Sequence, residues 1–362
     1  MKIAARCAIL VAGIIAMAST ASARKKSSPH GASTQTSRAQ QIEAATRLQI
    51  FLDHANFSPG AVTGHYNEFT FKALSLYRQS RGEPPPPPPA KPDAAPNVKG
   101  IDPKSIGSAF IDYTVTDADL KNIGPVPSSV AAQARLKFLP YRDSAEAIAE
   151  KFRCDVRFLN ELNPGKTRTI KPGDRLKVPN VEPFEFAAVK DIKPGSEMNS
   201  DVANDLPDDS AGGNRRVTPG SGPPPTPPII LVKIDTKTNM LGVFDGDKLV
   251  AAYPVTIGST QTATPIGEWK VQRVVKLPRF RWDPAMLKYG RRSGNFHMLP
   301  PGPNSPVGVI WIALNKKGIG IHGTSEPETI GHAVSHGCIR LANWDVVRLA
   351  QKVKPGVPVS IH

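Results

Sequence analysis

The apolar positions along this chain repeat with different periods in different stretches. Between residues 37 and 82, apolar side chains recur three or four positions apart, which predicts two short helices. A helical pattern that starts at Ser144 is followed by the turn Pro172-Gly173 and a short apolar strand. From residue 229 onward, β-branched and alternating runs predominate, which predicts strands. The pattern therefore indicates three folded pieces of different class.

The C-terminal piece, residues 229–362, is predicted to be mainly β and sandwich-like, with one late helix. Its expected strands span residues 229–234, 240–244, 248–255, 267–275 and 309–313. Asp245-Gly246 is a hairpin turn signal between the second and third of these strands. In the helix, Asn343 is the expected N-cap and Pro355-Gly356 the stop signal.

Proline-rich and low-complexity stretches mark the boundaries between the pieces. Six consecutive prolines within residues 83–100 require an extended backbone, so this segment is predicted to be a stiff linker. Residues 185–228 combine glycine, proline and acidic residues and are predicted to be a flexible linker. The linkers separate a small all-α piece (37–82) and an α+β piece (101–184) from the mainly-β piece.

The N-terminus has the features of an export signal. Lys2 and Arg6 precede an apolar run, and Ala21-Ser22-Ala23 is a small-residue cleavage site, so residues 1–23 are predicted to be a signal peptide. The run is shorter than the roughly 20 residues that a transmembrane helix needs. We therefore expect an exported protein of the periplasm or cell envelope, with no transmembrane anchor.

The cysteine count argues against a disulfide-stabilised fold. Of three cysteines, Cys154 and Cys338 remain once residues 1–23 are removed. A Cys154–Cys338 bridge stays open, although Cys154 falls in an apolar helical pattern where a small buried thiol is the ordinary explanation.

Basic residues outnumber acidic ones, 46 to 31, which gives a formal net charge of +15. An exported basic protein is expected to meet an anionic envelope polymer or membrane surface, and a solvated basic surface without a partner is the alternative. The sequence contains no helix-turn-helix, zinc-finger or stacking-sheet signature, so no nucleic-acid partner is expected.

One short segment carries candidate chemistry. Cys338 ends a Ser-His-Gly-Cys tetrapeptide, and a second histidine, His322, lies upstream of it. A thiol needs a neighbouring imidazole to take its proton near neutral pH, and either His322 or His336 can do so. Gly323 and Gly337 permit turns whose N–H groups point at a substrate oxygen. The segment therefore predicts nucleophilic catalysis by Cys338.

A metal site is the alternative use of the same residues. His322, His332, His336 and Cys338 are nitrogen and sulfur ligands of the kind that zinc accepts. Their spacing matches none of the usual paired-ligand patterns, so neither a metal nor another cofactor is expected.

Several motifs occur in order along the C-terminal piece. They are Tyr253-Pro254-Val255, Gly258, Thr264-Pro265-Ile266-Gly267, His322-Gly323-Thr324 and Ser335-His336-Gly337-Cys338-Ile339-Arg340-Leu341. The ordered set resembles the catalytic domain of the L,D-transpeptidases, also called the YkuD-type domain. It covers about 135 residues, which makes the resemblance far more specific than a lone Ser-His-Gly-Cys.

The resemblance implies cysteine acyl transfer on peptidoglycan stem peptides. Cys338 would attack the L,D bond before the terminal D-Ala of a tetrapeptide stem, and a thioester would remain after D-Ala leaves. His322 would be the general base, oriented by a backbone carbonyl, that of Gly323. The amine of a second stem would then form a 3→3 cross-link, or the lysine of an envelope lipoprotein would be the acceptor.

The other motif residues receive supporting roles. The resemblance assigns His336 to the site architecture and the oxyanion pocket, where the N–H groups of Gly337 and Cys338 would also point, although the two histidines can exchange roles. Ser335 is expected to shape the turn. Arg340 presents a fork of donors to a substrate carboxylate. Its alternative is a salt bridge to Asp345 that fixes the loop.

The two N-terminal pieces resemble envelope-binding modules. Residues 37–82, with Phe57-Ser58-Pro59-Gly60 and Gly64-His65-Tyr66-Asn67, resemble the peptidoglycan-binding domain type 1. Residues 101–184 resemble a LysM module, a βααβ unit that binds N-acetylglucosamine-containing glycan strands, with its opening strand expected at 135–141. A helical spacer and a structural unit without sugar affinity are the respective alternatives.

A Pro-, Gly- and Arg-rich segment between residues 278 and 308 resembles the lid over the substrate groove of the relatives, and a plain surface loop is the alternative. Two other functions stay open for the whole chain. A carboxypeptidase or endopeptidase of the same fold would use water as the acceptor. A glycan-binding envelope protein without catalysis would not need Cys338.

Overall fold

The computed structural model describes residues 37–91, 94–192, 230–259, 262–331, 335 and 337–362. Its helices are α1 (Arg38–His54), α2 (Glu68–Ser80), α3 (Asp117–Leu120), α4 (Val130–Gln133), α5 (Ser144–Lys151), α6 (Val156–Leu162), α7 (Pro284–Tyr289) and α8 (Asn343–Ala350). Its 3₁₀ turns include Pro103–Ile106, Thr167–Thr169, Phe186–Asp191 and Pro327–Thr329. No helix within the described ranges is long and apolar enough to cross a membrane.

The strands divide between the middle of the chain and its C-terminal part. They are β1 (Phe110–Thr114), β2 (Arg175–Pro179), β3 (Ile230–Asp235), β4 (Met240–Asp245), β5 (Lys248–Pro254), β6 (Gly267–Lys276), β7 (Phe280–Trp282), β8 (His297–Leu299), β9 (Ile310–Leu314), β10 (Gly320–His322), β11 (Ile339–Arg340) and β12 (Pro358–Ile361). The predicted signal peptide, residues 1–23, lies outside the described residues.

Helices α1 and α2 are the two helices predicted for residues 37–82. Asn67 caps α2, because its side-chain oxygen accepts a hydrogen bond from the N–H of Thr70 at 2.7 Å. The buried leucines of both helices belong to one hydrophobic cluster with Met240 and Ala252 of the C-terminal sheet. The helical pair therefore shares its core with the rest of the protein.

The middle region contains a strand, helix, helix, strand unit. β1 and β2 pair antiparallel, from Phe110 opposite Pro179 to Thr114 opposite Arg175, and α5 and α6 lie between them in the chain. Their buried side chains form one cluster that also takes in Ile50 of α1.

The predicted position of the opening strand, residues 135–141, was wrong. The strand that pairs with β2 is β1, and an insertion that carries only α3 and α4 separates it from α5. Leu139 fails to join this pair because its N–H donates to the carbonyl of Pro301 at 2.9 Å. The segment thus contacts the C-terminal region instead of extending the middle sheet.

A single eight-stranded sheet forms the C-terminal region, in the order β11-β10-β9-β6-β12-β3-β4-β5. The β10–β11 and β12–β3 pairs are parallel and the other pairs are antiparallel. Asp245-Gly246 forms the predicted turn between β4 and β5. Aliphatic side chains of the sheet and α8 form the largest buried cluster of the protein.

The predicted sandwich of two sheets is instead one curled sheet. Strand β6 joins the two halves, because Gly267 to Lys270 pair with β12 whereas Val271 to Lys276 pair with β9. The register shifts between Val271 and Arg273, which is where a bulge adds local twist. Alternation alone cannot distinguish two facing sheets from one sheet that folds over at a bulge.

Helix α8 is present, but the predicted N-cap was wrong. Ala342 occupies the cap position and Asn343 is the first helical residue. The Asn343 side chain instead accepts from the N–H of Val309 at 3.1 Å and donates to Glu150 of α5 at 2.7 Å. It therefore ties α8 to the turn before β9 and to the middle region.

One buried carboxylate joins the three predicted pieces. Asp53 of α1 accepts hydrogen bonds from Arg153 of the middle region at 2.7 Å and from both terminal nitrogens of Arg348 of α8 at 2.7 and 2.9 Å. Ser58 donates to Asp345 of α8 at 2.9 Å close by. Residues Arg38–His362 accordingly form one compact unit.

The predicted linkers differ in how much of them the structure describes. Residues 83–91 and 94–100 contain no helix or strand, as the prolines require. At the start of the segment 185–228, the turn Phe186–Asp191 buries Val189 in the core of the C-terminal sheet. The rest of that segment, from residue 193, lies outside the described residues.

Candidate active site

Three adjacent strands bring the candidate catalytic side chains together. His322 of β10 is aligned with Arg340 of the parallel strand β11 and with Trp311 of the antiparallel strand β9. Aligned residues of neighbouring strands project from the same face of a sheet. Cys338 lies two residues before Arg340, so the alternation of the chain directs its thiol toward this same face.

The thiol of Cys338 lies against backbone. Its Sγ donates to the carbonyl of Gly318 at 3.5 Å. Burial raises the pKa of Cys338, and a backbone hydrogen bond from Gly320 and the charge of Arg340 only partly oppose that rise. Cys338 therefore rests as the neutral thiol, and a thiol in this state needs a base to become reactive.

His322 is the candidate for that base. Its Nδ1 lies 2.6 Å from the carbonyl oxygen of Gly323, and because a carbonyl can only accept, Nδ1 carries the proton. The other ring nitrogen, Nε2, is then left as an acceptor. Burial, together with the charge of Arg340, lowers the pKa of His322 to about 3, so the imidazole is neutral at physiological pH.

Trp311 fixes the plane of the His322 ring. The two rings are stacked, with centroids 5.1 Å apart and planes 14° from parallel. His322 is 4% exposed. Sequence analysis did not single out Trp311, although its place in the predicted strand 309–313 was the available signal.

The turn before Cys338 is shaped by Ser335. The Ser335 hydroxyl donates to the carbonyl of Cys338 at 2.5 Å and accepts from the N–H of Gly337 at 3.3 Å. Gly337 has φ of +98°, a conformation that favours glycine. Gly337 thus gives the turn its shape, and its N–H donates to the Ser335 hydroxyl. His336 and His332 lie outside the described residues.

Arg340 faces the same site and is not paired with Asp345. The Asp345 carboxylate accepts from Ser58 at the junction of the three regions, so the predicted alternative of an Arg340–Asp345 salt bridge is wrong. The buried Nε of Arg340 has no hydrogen-bond partner among the described residues. A guanidinium with a spare donor beside the thiol suits a substrate carboxylate.

A cavity of about 450 Å³ surrounds these groups, and we call it the thiol cavity. Its lining includes Cys338, His322 and Arg340. Two other parts of the chain complete its walls, and they contribute Phe280, Arg281, Trp282, Met286, Leu287, Leu299, Val126, Ser128, Val130, Gln133 and Arg142. The first six lie in the predicted lid, residues 278–308, and the others come from the middle region, which sequence analysis did not connect with the site.

The lid segment has regular structure of its own. β7 and β8 pair antiparallel, from Phe280 opposite Leu299 to Trp282 opposite His297. Asp283 caps α7 between them and also accepts from the N–H of Ser293 at 2.7 Å. These bonds hold the segment as a folded wall of the thiol cavity.

The Asn343 side chain packs closely against Gly323. A Cβ at Gly323 would lie 2.2 Å from the Asn343 side-chain oxygen, so only glycine fits here. Asn343 in turn bonds Glu150 of the middle region at 2.7 Å. The position of the Gly323 carbonyl, which orients His322, therefore depends on Asn343, and Asn343 is bonded to the N-terminal half of the chain.

No disulfide and no metal cluster is seen in the part of the chain that the structure describes. Cys154 and Cys338 are both free, so the bridge that sequence analysis left open does not form. Burial raises the pKa of Cys154, which fits an inert core thiol. Among the described residues, no group of three or more His, Cys, Asp or Glu side chains is arranged to hold a metal ion.

Comparison with known proteins places this geometry in a family. The family model described as the L,D-transpeptidase catalytic domain matches residues 229–361. The chain is 35% identical over 150 residues to the Bacillus licheniformis protein named as L,D-transpeptidase YkuD, which covers 41% of this chain and 74% of that protein. It is also 35% identical over 147 residues to the Bacillus subtilis protein named as L,D-transpeptidase YqjB, covering 39% and 75%.

The chain belongs to the L,D-transpeptidase family. It is therefore an enzyme of this type, and the family that the motifs of the C-terminal piece predicted is confirmed. A solved L,D-transpeptidase from Mycobacterium smegmatis is 19% identical, with a TM-score of 0.31, over 37% of this chain and 59% of that one. The catalytic domain of the Enterococcus faecium L,D-transpeptidase gives 20% identity and a TM-score of 0.30 over 37% and 96%.

Proposed function

We propose that this L,D-transpeptidase acts outside the cytoplasm on peptidoglycan stem peptides. In this reaction Cys338 takes the acyl group of a tetrapeptide stem and passes it to the amine of a second stem, which gives a 3→3 cross-link. An envelope lipoprotein with a terminal lysine is the other amine acceptor. The observation that carries the proposal is the hydrogen bond from His322 Nδ1 to Gly323, which leaves Nε2 as a base in the cavity of Cys338.

The first half of the reaction follows from this geometry. As Sγ of Cys338 attacks the carbonyl carbon of the L,D bond, His322 Nε2 takes the thiol proton. The C–N bond then breaks, the same proton passes to the departing amine, and D-Ala leaves. A thioester on Cys338 remains. The neutral state of His322 supports this order, because an imidazole that was already protonated would be unable to accept the thiol proton.

Arg340 supports binding of the donor. A stem peptide carries carboxylates close to the bond that breaks, and the unpartnered Nε of Arg340 lies beside the thiol. A charge-assisted hydrogen bond to such a carboxylate would hold the donor in register with Cys338.

The N-terminal regions are proposed to hold glycan strands near this site. The βααβ arrangement of β1, α5, α6 and β2 and the helix pair α1–α2 support this assignment, as does the net charge of +15, which suits an anionic wall polymer. The signal-like N-terminal sequence, residues 1–23, supports export to the periplasm or cell envelope.

Purified protein incubated with disaccharide-tetrapeptides tests the proposal, with products identified by mass spectrometry. A cross-linked dimer that has lost one D-Ala is the expected product of the wild type, and Cys338→Ala should give none. Tripeptide monomer alone would instead assign water as the acceptor. If Cys338→Ala retained the activity, Cys338 would not be the nucleophile.

The role of His322 has its own test. His322→Gln removes the base and should slow acylation of Cys338 by about 10²- to 10⁴-fold, as followed by intact mass over time. The exposed His54, which does not line the thiol cavity, provides the matched control His54→Gln. An unchanged acylation rate in His322→Gln would contradict the role of His322 as the base and would indicate His336 instead.

A further inference from the structure

A second cavity, which we call the junction cavity, lies where the three regions meet. It has a volume of about 340 Å³, and its lining includes Ala61 of the first region, Glu150 of α5 and Trp344 of α8. Arg142 and Ser325 line both this cavity and the thiol cavity. The two cavities are therefore neighbours that share a wall.

The two cavities have opposite charge. Among the described residues that line the thiol cavity are three arginines, Arg142, Arg281 and Arg340, and one carboxyl, that of Glu326. The junction cavity is lined by two arginines and by five carboxyl groups, those of Asp143, Glu146, Glu150, Asp155 and Glu328. A basic cavity around the nucleophile suits an anionic donor, and the acidic cavity beside it suits a cation.

An independent feature of the junction cavity also points to a ligand. Trp344 lines this cavity, is 1% exposed and has an indole N–H with no hydrogen-bond partner among the described residues. Buried donors of this kind nearly always have an acceptor in native proteins. A ligand with a carbonyl oxygen would satisfy the indole N–H.

Two of the carboxylates that line the junction cavity are fixed in position by helix capping. Asp143 and Asp155 cap α5 and α6 with one oxygen each, accepting from the N–H groups of Glu146 and Arg157. Capping fixes the position of each carboxylate and leaves its second oxygen available. Glu328 is exposed on the opposite wall, which belongs to the C-terminal region.

We propose that the junction cavity binds the acceptor of the acyl transfer, a peptide that carries a free amine. Its ammonium group would interact with the carboxylates, and one of its carbonyl oxygens would accept from Trp344. This inference rests on the proposed function and specifies it further: the acceptor site is built jointly by the middle and C-terminal regions. An amine is then favoured over water as the acceptor.

The transfer step balances without any further reactant. The bound ammonium first loses one proton to solvent, and the neutral amine nitrogen attacks the thioester carbonyl carbon. An N–C bond forms and the C–S bond breaks. The second amine proton passes to His322 Nε2 and from there to the sulfur of Cys338, which restores the thiol and the neutral imidazole.

The partition of the thioester tests the proposal. Donor tetrapeptide is held constant while a synthetic tripeptide stem with a free side-chain amine is titrated, and mass spectrometry measures the ratio of cross-linked to hydrolysed product. Both products arise from the same thioester, so this ratio does not depend on the acylation rate. The variants are Glu328→Gln, Asp155→Asn and the two combined.

We expect each single variant to lower the ratio at subsaturating acceptor by about two- to fivefold, the range for one partly exposed ionic contact, and the double variant to lower it further. Raised salt should narrow the difference between wild type and variants, because it screens exposed charges. Asp247→Asn, an equivalent change in the exposed β4–β5 turn, should leave the ratio at the wild-type value.

Two failures are distinguishable. If wild-type Cys338 becomes acylated and the folded double variant partitions its thioester as the wild type does, the acceptor site is refuted and the proposed function stands. If wild-type Cys338 never acquires the acyl group from the donor, the proposed function itself fails. Thermal melts of each variant establish that the compared proteins are folded.

Discussion

The catalytic centre and the junction of the three regions both bury ionisable side chains, and burial moves their pKa values in opposite directions. At the centre, burial and Arg340 lower the pKa of His322 to about 3. At the junction, burial raises the pKa of Glu150 to about 7 and that of Asp345 to about 8. In both places the apolar surroundings favour the neutral form.

The consequences differ because the neutral forms have different uses. Neutral His322 is reactive, since it has a lone pair for the thiol proton. The neutral carboxyls of Glu150 and Asp345 have no comparable lone pair to offer, and they accept hydrogen bonds from Asn343 and Ser58 respectively. Burial of an ionisable group therefore does not by itself mark a catalytic residue, and the chemistry of its neutral form decides.

The largest expected effect concerns Asp53, the junction carboxylate that accepts hydrogen bonds from two arginines. Asp53→Ala would leave Arg153 and Arg348 buried without their shared partner. Removing one side of a buried ionic contact of this kind costs about 3–5 kcal/mol. Chemical denaturation measures the loss as a lower midpoint.

A surface ion pair gives the matched control for this variant. Glu83 bonds Arg78 and Arg81 near the end of α2, where it is partly exposed. Glu83→Ala should cost less than about 1 kcal/mol. Equal losses in the two variants would contradict the view that Asp53 holds the three regions together.

The next effect concerns the pH dependence of acylation. A histidine with the ordinary pKa of about 6.5 would be about 90% protonated at pH 5.5, and a rate that needs its neutral form would fall about tenfold from pH 7.5. With the pKa of His322 at about 3, we expect less than about a twofold fall over this range. Rapid-mixing mass spectrometry of donor acylation measures it, and an acid limb near pH 6.5 would contradict the neutral, buried base.

The smallest expected effect is on stability against pH. Glu150 and Asp345 hold their protons in the folded protein up to pH about 7 and 8, whereas the unfolded chain ionises both near pH 4. Stability from these groups is therefore lost as pH rises from about 4 through 7 for Glu150 and 8 for Asp345. Below pH about 6.5 the unfolded chain protonates His322, whereas the folded protein keeps it neutral down to about pH 3. Stability is therefore lost as pH falls from about 6.5 toward 3.

Between pH about 4 and 6.5 the two carboxyls outweigh the single histidine, so the contribution of these three groups to the melting temperature should be highest near pH 4 and fall as pH rises toward 8. Glu150→Gln, which cannot ionise, should reduce the fall between pH about 5 and 7, measured by calorimetry. Glu83→Gln at the surface should keep the wild-type slope. A slope in Glu150→Gln equal to that of the wild type would show that Glu150 does not titrate at the junction.

Much of the catalytic domain could be predicted from the sequence because its signals are local. The β-branched runs gave the strands β3, β4, β5, β6 and β9, and the late apolar helix α8 was found with a one-residue error in its cap. Cys338, His322 and the Gly323 carbonyl follow from residues in two short motifs. His322 ends β10 and Cys338 directly precedes β11, the strand that pairs with β10, so the two motifs lie next to each other in the sheet.

The opening strand of the middle region shows where such reasoning fails. Residues 135–141 have a plausible strand pattern, but the N–H of Leu139 donates to the carbonyl of Pro301. Pro301 lies more than 160 positions away in the sequence, so no local pattern predicts this partner. The same limit hid the contribution of Gln133 and Arg142 to the thiol cavity. Contacts between residues so far apart in sequence depend on how the surfaces of two folded regions fit together.

The sequence by itself determined the family and the candidate chemistry, because both are encoded in short stretches of contiguous residues with defined reactivity. The tertiary structure decided that the N-terminal regions are part of the enzyme. Their separation by proline-rich segments predicted independent modules, yet Asp53, Arg153 and Arg348 converge in one buried contact. Spacers fix how far apart two regions can lie, and only the complementarity of charge and apolar surface determines whether they pack together.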